Sequence, residues 1–302
     1  MSTIAVLGPG GVGGFVAAAL ARAGEQVTVV AREDTAAAIE AGGLAVQSVR
    51  LGDFSARPAA TSALTEPVGL LIVATKATGL TRALDRIQAE PALVLPLLNG
   101  LDHIALLRER FGAGRVPAGT IRIESDRRAP GQIVQSSPFL RIDLAADDPG
   151  LRARLDAIAT PLEHAGIPTQ IGPSEAQVLW TKLVRLNALA CTTSASDRRL
   201  GFIRSDPHWR AALEAAIEEA TAVANAEGAQ LDPAQPLGEL EAAHAELDSS
   251  MHRDLLAGLE PELDAIPGAV LRAAKRHGMR CPTIARLAGE IAARAGIQPP
   301  RV

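Results

Sequence analysis

The chain opens on Thr3-Ile4-Ala5-Val6-Leu7, a run in which apolar residues are continuous rather than alternating. Such a run marks a strand covered on both faces, as in a parallel sheet flanked by helices. A glycine-dense turn, Gly8-Pro9-Gly10-Gly11-Val12-Gly13-Gly14, separates it from a helical stretch over 15–23 that Gly24 stops, and a second apolar strand follows over 27–31. This strand-turn-helix-strand unit has about the 30-residue length of a mononucleotide-binding half. Further strands are expected over 44–49, 69–75 and 92–98, with helices over 80–88 and 102–111. The alternation predicts an α/β fold with a doubly wound sheet of Rossmann type.

Between 116 and 144 the pattern shortens to β-branched segments, Thr120-Ile121-Arg122-Ile123, Gln132-Ile133-Val134 and Phe139-Leu140-Arg141-Ile142, split by Pro130-Gly131 and Pro138. These predict added, partly antiparallel strands at one end of the sheet. A helix over 151–165 and a short strand Thr169-Gln170-Ile171 lead to Gly172-Pro173, where a domain boundary is placed. From Glu175 onward the periodicity is helical and Pro207, Pro233, Pro236, Pro267 and Pro282 fall near expected helix ends. The chain therefore reads as a Rossmann-type domain over 1–172 followed by an all-α domain over 173–302.

Composition narrows the chemistry. The 302 residues are 47% hydrophobic but only 2% aromatic, with five Phe, two Trp and no Tyr. Without a tyrosine, no enzyme class whose proton donor is Tyr applies. Few stacking platforms and a formal net charge of −4 argue against nucleic-acid binding. Cys191 and Cys281 are far apart with no partner motif, so neither a disulfide framework nor a metal site is expected. His244 and His252, eight apart, lack a third ligand at metal spacing and read as a solvated face, as Arg127-Arg128 and Asp197-Arg198-Arg199 read as solvated turns. With no basic leader and no long charge-free apolar stretch, a soluble cytoplasmic protein is expected. All but three of the 30 basic residues are Arg; the exceptions are Lys76, Lys182 and Lys275. Arg replaces Lys as a surface cation but not as a proton donor near neutral pH, which singles those three out.

Gly8, Gly10 and Gly13 stand between a buried-type strand and a helix, the context in which G-x-G-x-x-G binds a dinucleotide. Gly8 allows the tight turn, Gly10 lets backbone approach a pyrophosphate and Gly13 permits close helix packing, with Pro9, Gly11 and Val12 completing the loop. Arg32, nineteen residues after Gly13, stands where a carboxylate would hold an unphosphorylated ribose, so NADP(H) is favoured over NAD(H). Glu33 and Asp34 read as helix-start acids. Lys76 and Asn99 end later strands, where open α/β sheets bind ligands. Lys182, two residues after Trp180 and just before an apolar Leu-Val pair, is expected partly buried at a cleft between the domains. There a lysine of lowered pKa can protonate a carbonyl oxygen as hydride arrives at carbon.

The ordered set Gly8-Pro9-Gly10-Gly11-Val12-Gly13, Arg32, Ala-Thr-Lys76-Ala, Leu-Asn99-Gly100, Leu-Trp180-Thr-Lys182-Leu, and Ser249-Ser250-Met251 with Glu262 twelve residues after Ser250, resembles the ketopantoate reductase family over essentially its full length. So does Val270-Leu-Arg-Ala-Ala-Lys-Arg-His277-Gly278 with its exit Cys281-Pro282-Thr283. The resemblance implies a Rossmann domain holding NADPH, a helical domain, and a small 2-oxo acid substrate between them. It implies that Lys182 is the catalytic acid, that Asn99 touches both nicotinamide ribose and substrate, that Ser250 binds substrate, and that Glu262 orders the lysine or the ribose. A homodimer is left open. Where pantothenate-pathway members carry Asn four and eight positions after the lysine, and before the glycine matching Gly201, this chain has Leu186, Ala190 and Leu200. That loss directs the expectation toward 2-dehydropantoate or a less polar analogue, with a 3-hydroxyacid dehydrogenase and a non-catalytic NADP(H) sensor as competing readings.

Overall fold

A computed structural model describes residues 3–302. The chain divides into two compact units, one running through Leu98 and including His103–Val178, the other comprising Asn99–Asp102 and Leu179–Val302. The division falls at 178/179 rather than at 172/173, and it assigns the short segment that follows Leu98 to the helical unit.

In the first unit the elements in chain order are β1 (Ile4–Leu7), α1 (Gly11–Arg22), β2 (Val27–Val30), α2 (Glu33–Gly42), β3 (Leu44–Ser48), β4 (Phe54–Ala56), β5 (Ala59–Thr61), β6 (Leu70–Val73), α3 (Leu80–Leu84), β7 (Leu93–Pro96) and α4 (His103–Phe111). They continue as β8 (Ala118–Arg122), β9 (Ser125–Ala129), β10 (Gln132–Gln135), β11 (Arg141–Ala145), α5 (Pro149–Arg152), α6 (Asp156–His164) and β12 (Thr169–Ile171). The central sheet has the order β5-β2-β1-β6-β7 with every pair parallel, the arrangement of a Rossmann-type domain. Continuous apolar runs produce this sheet because alternate residues feed two cores. Ile4 and Val6 pack with Phe15, Val16 and Leu20, whereas Ala5 and Leu7 pack with Leu71, Val73, Leu107 and Phe111.

The second sheet, β4-β3-β10-β9, is separate from the first, and a third joins β12, β11 and β8. The segments expected to extend one end of the main sheet therefore form sheets of their own. The strand expected over 44–49 does form as β3, but it joins the second sheet. Its burial alternates along Leu44–Ser48, as a half-covered strand requires, and the third position of the parallel sheet is taken by the short edge strand β5. The extra sheet explains why α1 is buried from Gly13 to Leu20: it packs on β1 and β2 and also on β3, β4, β9 and β10. A Cβ on Gly14 would lie 2.6 Å from Ile133 Cδ1 of β10, so a larger residue there would have to displace that buried side chain. Two helix expectations shorten. The stretch 80–88 stops at Leu84 because Ile87 pairs with Leu64 as an isolated bridge, and 151–165 splits into α5 and α6.

The second unit is helical. Its elements are α7 (Glu175–Ser196, which begins before the division), α8 (Leu200–Ser205), α9 (Pro207–Ala226), α10 (Ala234–Ala242), α11 (Ser250–Leu256), α12 (Pro267–Arg276) and α13 (Pro282–Ala295). Helix α9 packs against α8, α10, α12 and α13. Pro207, Pro267 and Pro282 each stand in a first turn, where a missing N–H costs no intrahelical bond. Asp206 caps α9 by accepting from the Trp209 amide, and Ser249 caps α11 by accepting from the His252 amide.

Candidate active site

The glycine loop occupies the tip of β1 in the first unit. Gly8 has φ +90°, and a Cβ there would sit 2.7 Å from Thr75 Cγ2. A Cβ on Gly13 would collide with the Gly8 carbonyl oxygen, and one on Gly11 with the Ser125 carbonyl oxygen. Gly8, Gly11 and Gly13 are thus demanded by the protein's own packing. Gly10 is different, because nothing lies within 4 Å of where its Cβ would be. That open face is the one a pyrophosphate needs.

Two further observations fit an anion there. Helix α1 begins with no side-chain cap and no acid in its first turn. Its first-turn N–H groups, those of Gly11, Val12 and Gly13, have no acceptor within the helix. Beside Gly8, the buried Thr75 hydroxyl has no hydrogen-bond partner among the described residues, a donor that sequence reasoning passed over in favour of its neighbour Lys76. Lys76 is exposed after β6. Arg32 is exposed after β2, where it precedes α2, and Glu33 and Asp34 stand in the first turn of that helix. These residues fit a dinucleotide, with backbone N–H groups toward the diphosphate, and Arg32 stands exposed after β2.

In the second unit, Lys182 of α7, Asn99 and Glu262 form a hydrogen-bonded chain. Lys182 Nζ donates to Asn99 Oδ1 at 2.9 Å, and Asn99 Nδ2 donates to Glu262 Oε2 at 2.9 Å. An ammonium only donates and a carboxylate only accepts, so the two neighbours fix the amide in this one orientation. Glu262 is 5% exposed, and a carboxylate so buried requires such a donor. Lys182 and Asn99 are each half-buried. The chain restrains the Lys182 amine at a half-buried position through a single amide.

Ser250 is the first residue of α11 and is partly exposed; the capping role belongs to Ser249, whose hydroxyl lies 2.9 Å from Thr193 Oγ1 of α7. Of the three apolar replacements on and near α7, Ala190 and Leu200 are fully buried, and only Leu186 keeps accessible surface.

His252 is buried, not on a solvated face, with Nδ1 at 2.7 Å from Asp248 Oδ1 and Nε2 at 2.9 Å from Asp197 Oδ1. The paired Asp248 carboxylate raises the imidazole pKa above its ordinary value despite burial, with Asp197 adding to the effect. Asp197, the one non-glycine described residue at positive φ (60°), has its own pKa lowered by the His252 and Arg294 hydrogen bonds. Asp248, four residues before His252, is a partner that sequence spacing can suggest, whereas Asp197, 55 residues away, carries no such signal. Both cysteines are buried, and burial pushes Cys191 far up and Cys281 to about 11, so neither is a nucleophile. No group of three or more metal-ligating side chains occurs among the described residues, and no described helix is long and apolar enough to cross a membrane.

A Rossmann-type unit followed by a helical unit that presents a lysine tied through an amide to a buried carboxylate defines a two-domain oxidoreductase. Comparison with known proteins narrows the class. Residues 4–146 match the family described as ketopantoate reductase PanE/ApbA, and residues 176–295 match its C-terminal counterpart. The chain belongs to the ketopantoate reductase family. It is 30% identical over 291 residues to a 2-dehydropantoate 2-reductase of Caulobacter vibrioides, covering 93% of this chain and 95% of that one. A 2-dehydropantoate 2-reductase of Halobacterium salinarum is 28% identical over 296 residues, covering 94% and 96%. Among solved structures, the 2-dehydropantoate 2-reductase of Geobacter metallireducens superposes with a TM-score of 0.89 at 27% identity, covering 96% of this chain and 99% of that one. D-mandelate dehydrogenase, solved with NADH and anilino(oxo)acetate, shares the fold with a TM-score of 0.88 at 21% identity, covering 97% and 98%.

Proposed function

We propose that this protein reduces a small branched 2-oxo acid with NADPH, and that Lys182 is the proton donor. The observation that carries the reading is the Lys182–Asn99–Glu262 chain, which fixes an amine in one orientation next to half-open surface. A bound reduced nicotinamide dinucleotide supplies the hydride. Lys182 hydrogen-bonds the 2-oxo oxygen and gives it a proton as negative charge develops there. Asn99 restrains the ammonium, and Glu262 restrains Asn99. Ser250, at the exposed start of α11, holds the carboxylate end of the substrate.

The open face of Gly10, the uncapped start of α1 and the unpaired Thr75 hydroxyl support a dinucleotide at the first unit. Arg32 at the end of β2 supports the 2′-phosphorylated form. The names of the relatives support 2-dehydropantoate as substrate. Leu186, as the one accessible replacement, supports a less polar analogue equally well, because an apolar side chain offers no bond to a substrate hydroxyl. NADPH absorbance monitored with 2-dehydropantoate and 2-oxoisovalerate side by side tests the reading: turnover with either establishes the reductase, and their ratio reports whether the hydroxyl is recognised.

A further inference from the structure

We infer that Arg272, on α12, is a positioning residue for the Lys182–Asn99–Glu262 chain; the inference rests on the reading of that chain as the proton-donating site. Asn99 and Glu262 lie on loops 163 residues apart, and the amide aims Oδ1 at Lys182 only while both loops hold still. Arg272 grips both. Its Nη2 donates to Asp102 Oδ2 at 2.6 Å and to the Asp264 carbonyl oxygen at 2.7 Å. Its Nη1 donates to Asp264 Oδ1 at 2.8 Å and to the Arg301 carbonyl oxygen at 2.8 Å. Asp102 follows Asn99 by three residues, and Asp264 follows Glu262 by two.

The loops also touch through backbone. Gly100 has φ +85°, and a Cβ there would collide with the Ala265 carbonyl oxygen. Glycine therefore sets the closest approach, while the guanidinium ties the acidic residues on either side of it. The Asp102 and Asp264 side chains are 53% and 65% exposed, so as isolated ion pairs they contribute little stability. What the arrangement supplies is geometry: a planar fork with several donors fixes two loops at once, which a lysine ammonium does not do. Displacing Asn99 by a fraction of an ångström would misdirect Lys182 without removing any group that touches substrate.

The test uses the full chain and needs no activity for its first readout. The sequence contains only three asparagines, Asn99, Asn187 and Asn225, so selective ¹⁵N-asparagine labelling gives three side-chain amide pairs, with Asn99→Ala identifying its own. Arg272→Met is expected to shift the Asn99 pair and leave Asn187 unmoved, and Arg272→Lys is expected not to restore it. In turnover, Arg272→Met is expected to lower kcat about tenfold or more, with the NADPH KM changed by less than about twofold. Should Arg272→Met fail to fold, Asp102→Ala and Asp264→Ala each remove one side-chain arm of the clamp without adding an asparagine signal. An Asn99 signal that stays in place in folded Arg272→Met, or in both aspartate variants, overturns the proposal. Absence of NADPH oxidation by the wild type with any 2-oxo acid overturns instead the proton-donor reading, and the amide signal still decides whether Arg272 positions Asn99.

Discussion

Lys182 Nζ and Asn99 Oδ1 are 2.9 Å apart, a hydrogen bond that spans 83 residues of chain. Because the same amide donates to Glu262, the lysine is held by an acceptor that cannot rotate away. Removing the amine in Lys182→Ala is expected to lower kcat by about 10²–10⁴-fold, the range for a positioned general acid. NADPH affinity, measured by fluorescence titration, should change little. Lys182→Arg should not rescue turnover, since a guanidinium does not release a proton near neutral pH; recovery to wild-type rates in that variant would show that the cation matters for charge alone.

Glu262 offers a graded test. Glu262→Gln keeps a carbonyl oxygen able to accept from Asn99 Nδ2, whereas Glu262→Ala leaves that donor without its partner. If orientation is what Glu262 supplies, Glu262→Ala should cost more than Glu262→Gln. The difference in activation free energy between the two variants should be of the order of one neutral hydrogen bond, about 0.5–1.5 kcal/mol. Equal losses in steady-state kinetics would assign the effect to the carboxylate's charge.

Arg32 is the residue proposed to favour the 2′-phosphorylated cofactor. Arg32→Ala is expected to raise the KM for NADPH by about tenfold, roughly one charge-assisted hydrogen-bonded contact, while leaving that for NADH nearly unchanged. Parallel loss with both cofactors would place Arg32 away from the 2′-phosphate.

The α/β first unit was legible because its strands are buried on both sides, and Ile4-Ala5-Val6-Leu7 writes that burial as an unbroken apolar run. The third parallel strand was not. Ala59-Ala60-Thr61 is a three-residue edge strand with little apolar content, and the better-patterned Leu44–Ser48 belongs to another sheet. Its alternation was visible in sequence, but alternation says only that one face is covered and not which sheet the strand joins. At the site, Lys182 and Asn99 are legible from their positions on the chain and Glu262 only from the family resemblance, and the structure brings these three together. The clamp by Arg272 was invisible, because Asp102 and Arg272 are 170 residues apart and each reads alone as an ordinary surface charge. His252 has one partner, Asp248, four residues away, but the other, Asp197, lies 55 residues away at the end of α7, so its enclosure is not legible from spacing alone.

His252 makes stability depend on pH. Its folded-state pKa is raised, chiefly by the Asp248 hydrogen bond, so its contribution is fully present below the unfolded value of about 6.5 and is lost as pH rises through the folded value. Asp197, lowered by the His252 and Arg294 bonds, contributes above the unfolded value of about 3.9 and loses that contribution as pH falls through its folded value. In urea unfolding across pH 5 to 9, the gap between wild type and His252→Gln is expected to narrow toward the alkaline end. A gap that stays constant with pH would mean that the imidazole acts through packing and not through its charge.

In the proposed mechanism Lys182 protonates a 2-oxo acid during NADPH-dependent reduction. The most direct measurement follows NADPH absorbance for the wild type and Lys182→Ala against 2-dehydropantoate and 2-oxoisovalerate. Wild-type turnover is expected with at least one of them, and a loss of at least about 10²-fold in the variant with NADPH binding intact. Full turnover by Lys182→Ala would contradict that mechanism.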